Sequence, residues 1–155
     1  MKFCIFGAGA VGGLIAAWLW RAGHQVSVVA RGANLTAIRE AGLRVQNATG
    51  DAVLVTRPRA ESDPATLGEQ DYVIVAVKGQ GLSGVASAIG PLLGRDTSIV
   101  TAMNGVPWWF FDRLRFGGGK HRLQSLDPDG ALARAMPTAR IVGCGVHLAA
   151  STPAP

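Results

Sequence analysis

Charge is scarce in this 155-residue chain: 16% of residues are charged and 48% hydrophobic, which excludes an intrinsically disordered polymer. Cysteine is scarce too. Cys4 and Cys144 can form one bridge at most, so a disulfide-stapled scaffold is excluded. Both lie in apolar, strand-like runs and read as free thiols in a reducing compartment. The three histidines, His24, His121 and His147, are too widely separated for metal-ligand spacing, and no Ser-His-Asp grouping stands out, so no metal is expected. The length suits one domain with a sizeable core and leaves no room for two large ones.

Acids are the rarer of the charged residues, 10 against 15 Lys and Arg, which leaves a net charge of +5 and suits an anionic partner. No long basic block, zinc-ligand spacing or RNA-binding aromatic signature is present, so nucleic acid is not expected. The densest cluster, Arg113, Arg115, Lys120, His121 and Arg122 around Gly117-Gly118-Gly119, reads as a solvated loop face. Phe3 to Trp20 carries no charge at all. A signal peptide or membrane span is one reading of such a run. Glycines at 7, 9, 12 and 13 weaken the helix that an inserted segment needs. No membrane partner is therefore expected, and the chain is expected to be cytoplasmic.

Strands and helices alternate along the chain. Lys2–Phe6 reads as a buried strand, 10–21 as a helix closed by Gly23, and Gln25–Val29 as a second strand. Asn34 is placed as the cap of a helix ended by Gly42. Segments 43–45 and 52–55 pair as a hairpin about the turn 47–51, and 57–68 is mostly loop with one helical turn. Tyr72–Val77 is a continuous apolar run, the signature of a strand covered on both faces. A helix over 80–93, a strand over 98–102, a helix over 107–114, a short helix near 130–135 and a strand from Arg140 to Cys144 follow. The tail 149–155 has no core pattern. The expected class is α/β, a doubly wound, mostly parallel sheet. Trp18 and Trp20, two apart on one helix, cannot share a face, so one of them is expected to pack inward. Part of Trp108-Trp109-Phe110-Phe111 is expected to line the cleft or a docking face, core packing being the alternative.

Gly7-Ala8-Gly9-Ala10-Val11-Gly12 matches G-x-G-x-x-G between the first strand and the first helix, the context in which that motif holds a dinucleotide. Gly7 permits the tight turn, Gly9 the approach of a pyrophosphate, and Gly12 close packing of helix on strand. The residue ending the second strand decides the next question. No acid occurs there before Glu40, whereas Arg31 suits a 2′-phosphate, because its planar fork pairs with phosphate oxygens. NADP(H) is therefore favoured over NAD, and an Arg31 that merely faces solvent is the alternative. Lys78 and Asn104-Gly105 each follow a buried strand at the end where doubly wound sheets bind ligands. Turn chemistry alone is their other reading.

The glycine loop, Arg31, Val77-Lys78 and Met103-Asn104-Gly105-Val106-Pro107-Trp108-Trp109 together resemble the N-terminal domain of the ketopantoate reductase (2-dehydropantoate 2-reductase) family, from residue 1 to about 150. The resemblance implies a Rossmann-type domain over 1–155 and NADPH-dependent reduction of ketopantoate to pantoate on the route to pantothenate and coenzyme A. It implies that Gly7 to Gly12 hold the pyrophosphate and Arg31 the 2′-phosphate. Lys78 and Asn104 would lie near the ribose and nicotinamide, Asn104 also touching the 2-oxoacid substrate. Ala149 aligns with a small residue lining the cofactor site. The family's catalytic lysine, its general acid, and a substrate-binding glutamate belong to a C-terminal helical domain. This chain is expected to stop before that domain and to lack the sheet's final strands. A homodimer, or docking to a helical domain, is the partnership implied. A dinucleotide-binding regulatory module without catalysis and a reductase of another small 2-oxoacid remain the competing readings.

Overall fold

The computed structural model describes residues 1–47, 49–50, 53–112, 114 and 121–152. The 47–51 turn lies partly outside these, as does the tail. Arg113, Arg115, Lys120 and the glycine triplet lie wholly outside.

β1 (Lys2–Phe6) and β2 (Gln25–Val29) flank α1 (Ala10–Arg21), as the short apolar runs and the glycines require. α1 ends in a Schellman motif. The His24 N–H donates to the Leu19 carbonyl at 3.1 Å and the Gly23 N–H to that of Trp20 at 3.0 Å, with Gly23 at φ +83°. α2 (Gly32–Ala41) stops at Gly42, and β3 (Leu43–Gln46) pairs antiparallel with β4 (Val53–Thr56). β5 (Arg59–Glu61), β6 (Gln70–Val75), α3 (Leu82–Ala88), β7 (Leu93–Ala102), α4 (Ala131–Ala135) and β8 (Ile141–Cys144) follow.

Six strands form one sheet in the order β5-β2-β1-β6-β7-β8, every pair parallel. This is the 3-2-1-4-5-6 order of a doubly wound sheet. Its direction of travel reverses between β1 and β6. The pleat sends alternate residues to two apolar layers. Cys4, Phe6, Val73 and Val75 join Leu82 and Val85 of α3, and Ile89 just after it, on one face. Ile5 and Ile74 join Ala16 of α1 and Ile38 of α2 on the other. Both faces are covered by helices.

Several expectations are corrected. The strand expected from Arg140 to Cys144 is β8, which begins at Ile141 and forms one edge of the six-stranded sheet. Asn34 does not cap α2: Arg31 occupies the cap, and Asn34 lies inside the first turn. The loop expected over 57–68 contains β5, which has no apolar run and is ordered by pairing Ser27–Val29 with Arg59–Glu61. The third major strand runs over Gln70–Val75, leaving Ala76 and Val77 beyond it. The 80–93 helix shrinks to α3 because Gly90-Pro91 follows, and proline disfavours helical backbone before it. β7 begins at Leu93, well before Ser98. An irregularity there is held by Thr97, whose Oγ1 accepts from the Gly94 N–H and donates to the Gln70 carbonyl.

No helix forms over 107–112. Successive turns bond Phe110 to Pro107 and Asp112 to Trp109, each spanning three residues. Trp108 is anchored in the core, Trp109 lies against Gly143, and Phe110 remains exposed. Neither Trp18 nor Trp20 packs inward; they are 54% and 41% exposed. The buried stripe of α1 is Gly12, Gly13, Ala16 and Ala17, which brings the helix too close to the sheet to fit an indole beneath it. Cys4 is buried and Cys144 half-buried, and both are free. Among the described residues no helix is long and apolar enough to cross a membrane.

Candidate active site

Strand register lines up the carboxyl ends of the sheet. Val29, Phe6, Val75, Thr101 and Gly143 form one transverse row of partners across β2, β1, β6, β7 and β8. Gly7 lies one residue beyond that row, Arg31 two, and Lys78 and Asn104 three. Residues distant in sequence therefore reach one edge of the sheet because the strands end in step.

The glycine loop turns at Gly7, whose φ of +100° disfavours any side chain. A Cβ there would lie 2.7 Å from Val77 Cγ1 and 3.1 Å from the Ala76 carbonyl oxygen. At Gly12 a Cβ would overlap the Gly7 carbonyl oxygen, so α1 is packed directly onto the loop. Gly9 differs. A Cβ there would meet nothing within 4 Å, which leaves the space in front of the α1 N-terminus open. Gly9 caps that helix without a side-chain acceptor, and no acid sits in its first turn. Unpaired N–H groups and the positive end of the helix dipole thus face an open space, an arrangement suited to a diphosphate. Ala8 is buried under the loop, and Ala10 and Val11 are half-buried in the first turn.

A cleft of about 260 Å³ opens beside the loop, at the point where strand order reverses. Gly7, Ala8 and Gly9 form one wall, Arg31 and Asn34 a second, and Gly81, Gly84 and Val85 a third. Among the described residues, Arg31 is the charged side chain that lines it. No ion pair holds it among the described residues, and its guanidinium reaches across to α3, where a Cβ on Gly84 would lie 4.0 Å from both Nη atoms. A larger cavity, about 520 Å³, lies at the opposite end of the sheet among Glu69, Asp71, Arg95 and Asp96. It has neither a glycine loop nor a helix N-terminus of eight residues or more, and we assign no chemistry to it.

Lys78, Asn104 and Ala149 are not part of the cleft wall. Lys78 is exposed at the start of the turn Gly79–Gly81, and no ion pair among the described residues involves it. Asn104 is tied to the loop after β8. Its Nδ2 donates to the Val146 carbonyl at 3.0 Å and its Oδ1 accepts from the Val146 N–H at 2.8 Å. An amide has two donors and two acceptor lone pairs, so one of each remains for a ligand. Ala149 is exposed beyond β8. Among the described residues no group of three or more His, Cys, Asp or Glu could hold a metal.

Asn34 and Gly84 escaped the sequence reading. The sequence pattern places Asn34 as a helix cap, yet its Nδ2 donates to the Ala8 carbonyl at 2.8 Å and so joins α2 to the glycine loop. Gly81 and Gly84, three residues apart, put a bare patch on one side of a helix start, a signal visible in the sequence.

The profile of the family described as ketopantoate reductase PanE/ApbA matches residues 3–107. A 2-dehydropantoate 2-reductase of Mesorhizobium japonicum is 42% identical over 156 residues, covering all of this chain and 47% of that protein. A solved structure from Ralstonia solanacearum MolK2, provisionally assigned as a ketopantoate reductase, is 52% identical with a TM-score of 0.92. The match covers 99% of this chain and 47% of that one. The 2-dehydropantoate 2-reductase of Porphyromonas gingivalis W83 is 28% identical with a TM-score of 0.75, covering all of this chain and 49% of its own. The chain thus spans about half the length of these relatives.

Proposed function

From the premise that the chain belongs to the ketopantoate reductase family, we propose that it is the cofactor-binding portion of an NADPH-dependent 2-dehydropantoate 2-reductase. One observation carries this reading. Among the described residues, Arg31 stands without an ion pair, and with no acid beside it, across the cleft from a glycine loop with open space before a helix N-terminus. Backbone N–H groups from Gly9 onward hold the pyrophosphate, and Gly7 and Gly12 shape the loop that presents them. Arg31 pairs with the 2′-phosphate through its planar fork. When bound, NADPH supplies the reducing equivalent for the ketone of a small 2-oxoacid.

The remaining assignments concern position and protons. Asn104, held by Val146, offers its free N–H and lone pair towards the nicotinamide end and the substrate. Lys78 supports the cofactor ribose, and Ala149 closes the cofactor site after β8. Reduction of a ketone leaves an alkoxide that must be protonated by a positioned acid. In this reading that acid is the lysine of the family's helical domain, and the substrate is recognised there. The chain alone is then expected to bind cofactor without appreciable turnover.

Arg31→Ala tests the reading through nicotinamide fluorescence titrations with both cofactors. NADPH affinity is expected to fall about tenfold, because the lost charge-assisted bonds are open to water, while NADH binding stays within about twofold. Arg31→Asp is expected to go further against NADPH. Equal losses for the two cofactors would withdraw the NADP assignment.

A further inference from the structure

We propose that Asn34 is a specificity-determining residue of the cleft. Its amide nitrogen locks the Ala8–Gly9 peptide, and its amide oxygen is the neutral acceptor for the ribose hydroxyl beside the 2′-phosphate. The inference rests on the dinucleotide reading of the cleft and adds to it a residue outside the glycine motif.

Three observations support it. The 2.8 Å bond to the Ala8 carbonyl fixes which end of the amide faces the loop, because only the NH2 end can donate. A trans peptide holds C=O and N–H in opposite directions, so anchoring the Ala8 carbonyl on Asn34 turns the Gly9 N–H away from α2. Asn34 also lines the cleft next to Arg31, and no hydrogen bond occupies its Oδ1 among the described residues.

The chemistry of the strand end supplies the rest. Binders of NAD place a carboxylate after the second strand to accept the ribose hydroxyls. Here Ala30-Arg31 follows β2, and the first acid, Glu40, lies near the far end of α2. Asn34 is thus the side chain that brings an acceptor to this wall. Because that acceptor is uncharged, it binds a hydroxyl without repelling a phosphate on the neighbouring carbon. The same amide thereby joins the loop that holds the pyrophosphate to the helix start that carries Arg31.

Asn34→Asp is the informative variant, since it keeps the shape, removes the donor and adds a charge. A carboxylate in the first turn of α2 is favoured by the helix dipole, which offsets part of the lost bond to the Ala8 carbonyl, so the variant is expected to fold with its Tm lowered by a few degrees at most. Titrated with NADPH and NADH, it should lower the NADPH-to-NADH affinity ratio at least about tenfold, less steeply at high salt. Asn34→Ala removes only neutral bonds common to both cofactors. It should weaken both about fivefold and leave their ratio within about threefold. If both variants bind both cofactors within about twofold of the parent, the proposal is overturned while the cofactor reading survives. If the parent chain itself binds neither cofactor, both fall together. A selective NADPH loss in Arg31→Ala with no change in Asn34→Asp would fault Asn34 alone.

Discussion

The Asn104 side chain forms a rung between two loops, donating to the Val146 carbonyl and accepting from the Val146 N–H at 3.0 and 2.8 Å. These bonds tie the end of β7 to the end of β8 beyond the last backbone pair, Ala102 with Cys144. Both are exposed, so Asn104→Ala is expected to cost about 1 kcal/mol in total. Asn104→Asp, which keeps the acceptor and loses the donor, should cost roughly half as much. Urea unfolding should show lowered midpoints with unchanged slopes.

The loop glycines separate stability from binding. Gly12→Ala drives a methyl group into the Gly7 carbonyl oxygen, and overpacking of this kind costs about 1–3 kcal/mol. Gly9→Ala meets nothing in the protein alone and should leave Tm within a few degrees of the parent. Its methyl group occupies the space assigned to the pyrophosphate, so dinucleotide affinity should fall at least about tenfold. Thermal unfolding and titration of the two variants should therefore give opposite rankings.

Gly84 sets the room available to Arg31. A methyl group at Gly84 makes only ordinary contact with the guanidinium, so Gly84→Ala should bind NADPH as the parent does. It should also stabilise α3 by about 0.5–1 kcal/mol through helix propensity. Gly84→Leu should displace the guanidinium and reproduce the NADPH-selective loss of Arg31→Ala. Equal NADPH affinity in the Ala and Leu variants would show that Arg31 does not need this space.

Burial pushes the Cys4 thiol up to about 12 from its ordinary 9.0, against a smaller lowering by the Ser27 hydroxyl. The thiol ionises in the unfolded chain before it does in the fold, so the unfolded state binds fewer protons between those values. Stability from this group is thus complete below about pH 9 and is lost as pH rises towards about 12. Cys4→Ala should flatten the fall in stability over that window, measured by urea unfolding at successive pH values. In the native state at pH 8 the Cys4 thiol should resist alkylation.

Strong local patterns made part of the molecule readable in advance. β1, α1 and β2 occupy the expected residues, because each combines an apolar run of the right length with a glycine at its boundary. The conformations of Gly7 and Gly12 likewise match the spacing of the motif. Long-range pairing was harder to read. Arg59-Ala60-Glu61 has no strand signal of its own and becomes β5 only because the β2 edge is available. The aromatic run after Pro107 looks helical in sequence, yet burial of Trp108 and contact of Trp109 with Gly143 favour turns. Asn34 illustrates the same limit at the site. A side chain suited to capping found a carbonyl 26 positions earlier, which no local rule anticipates.

The in-step strand ends also bear on the order of events in folding. The groups around the cleft come from separate crossovers, so no local segment can assemble them before β1, β2 and β6 have paired. Pairings this distant in sequence pay their loop-closure entropy first and form slowly. A dinucleotide then has nothing to grip in the unfolded chain, and it adds stability only by mass action on the finished fold. Saturating cofactor should slow unfolding while leaving the refolding rate where it was, and a chevron recorded with and without NADPH should differ in one limb alone.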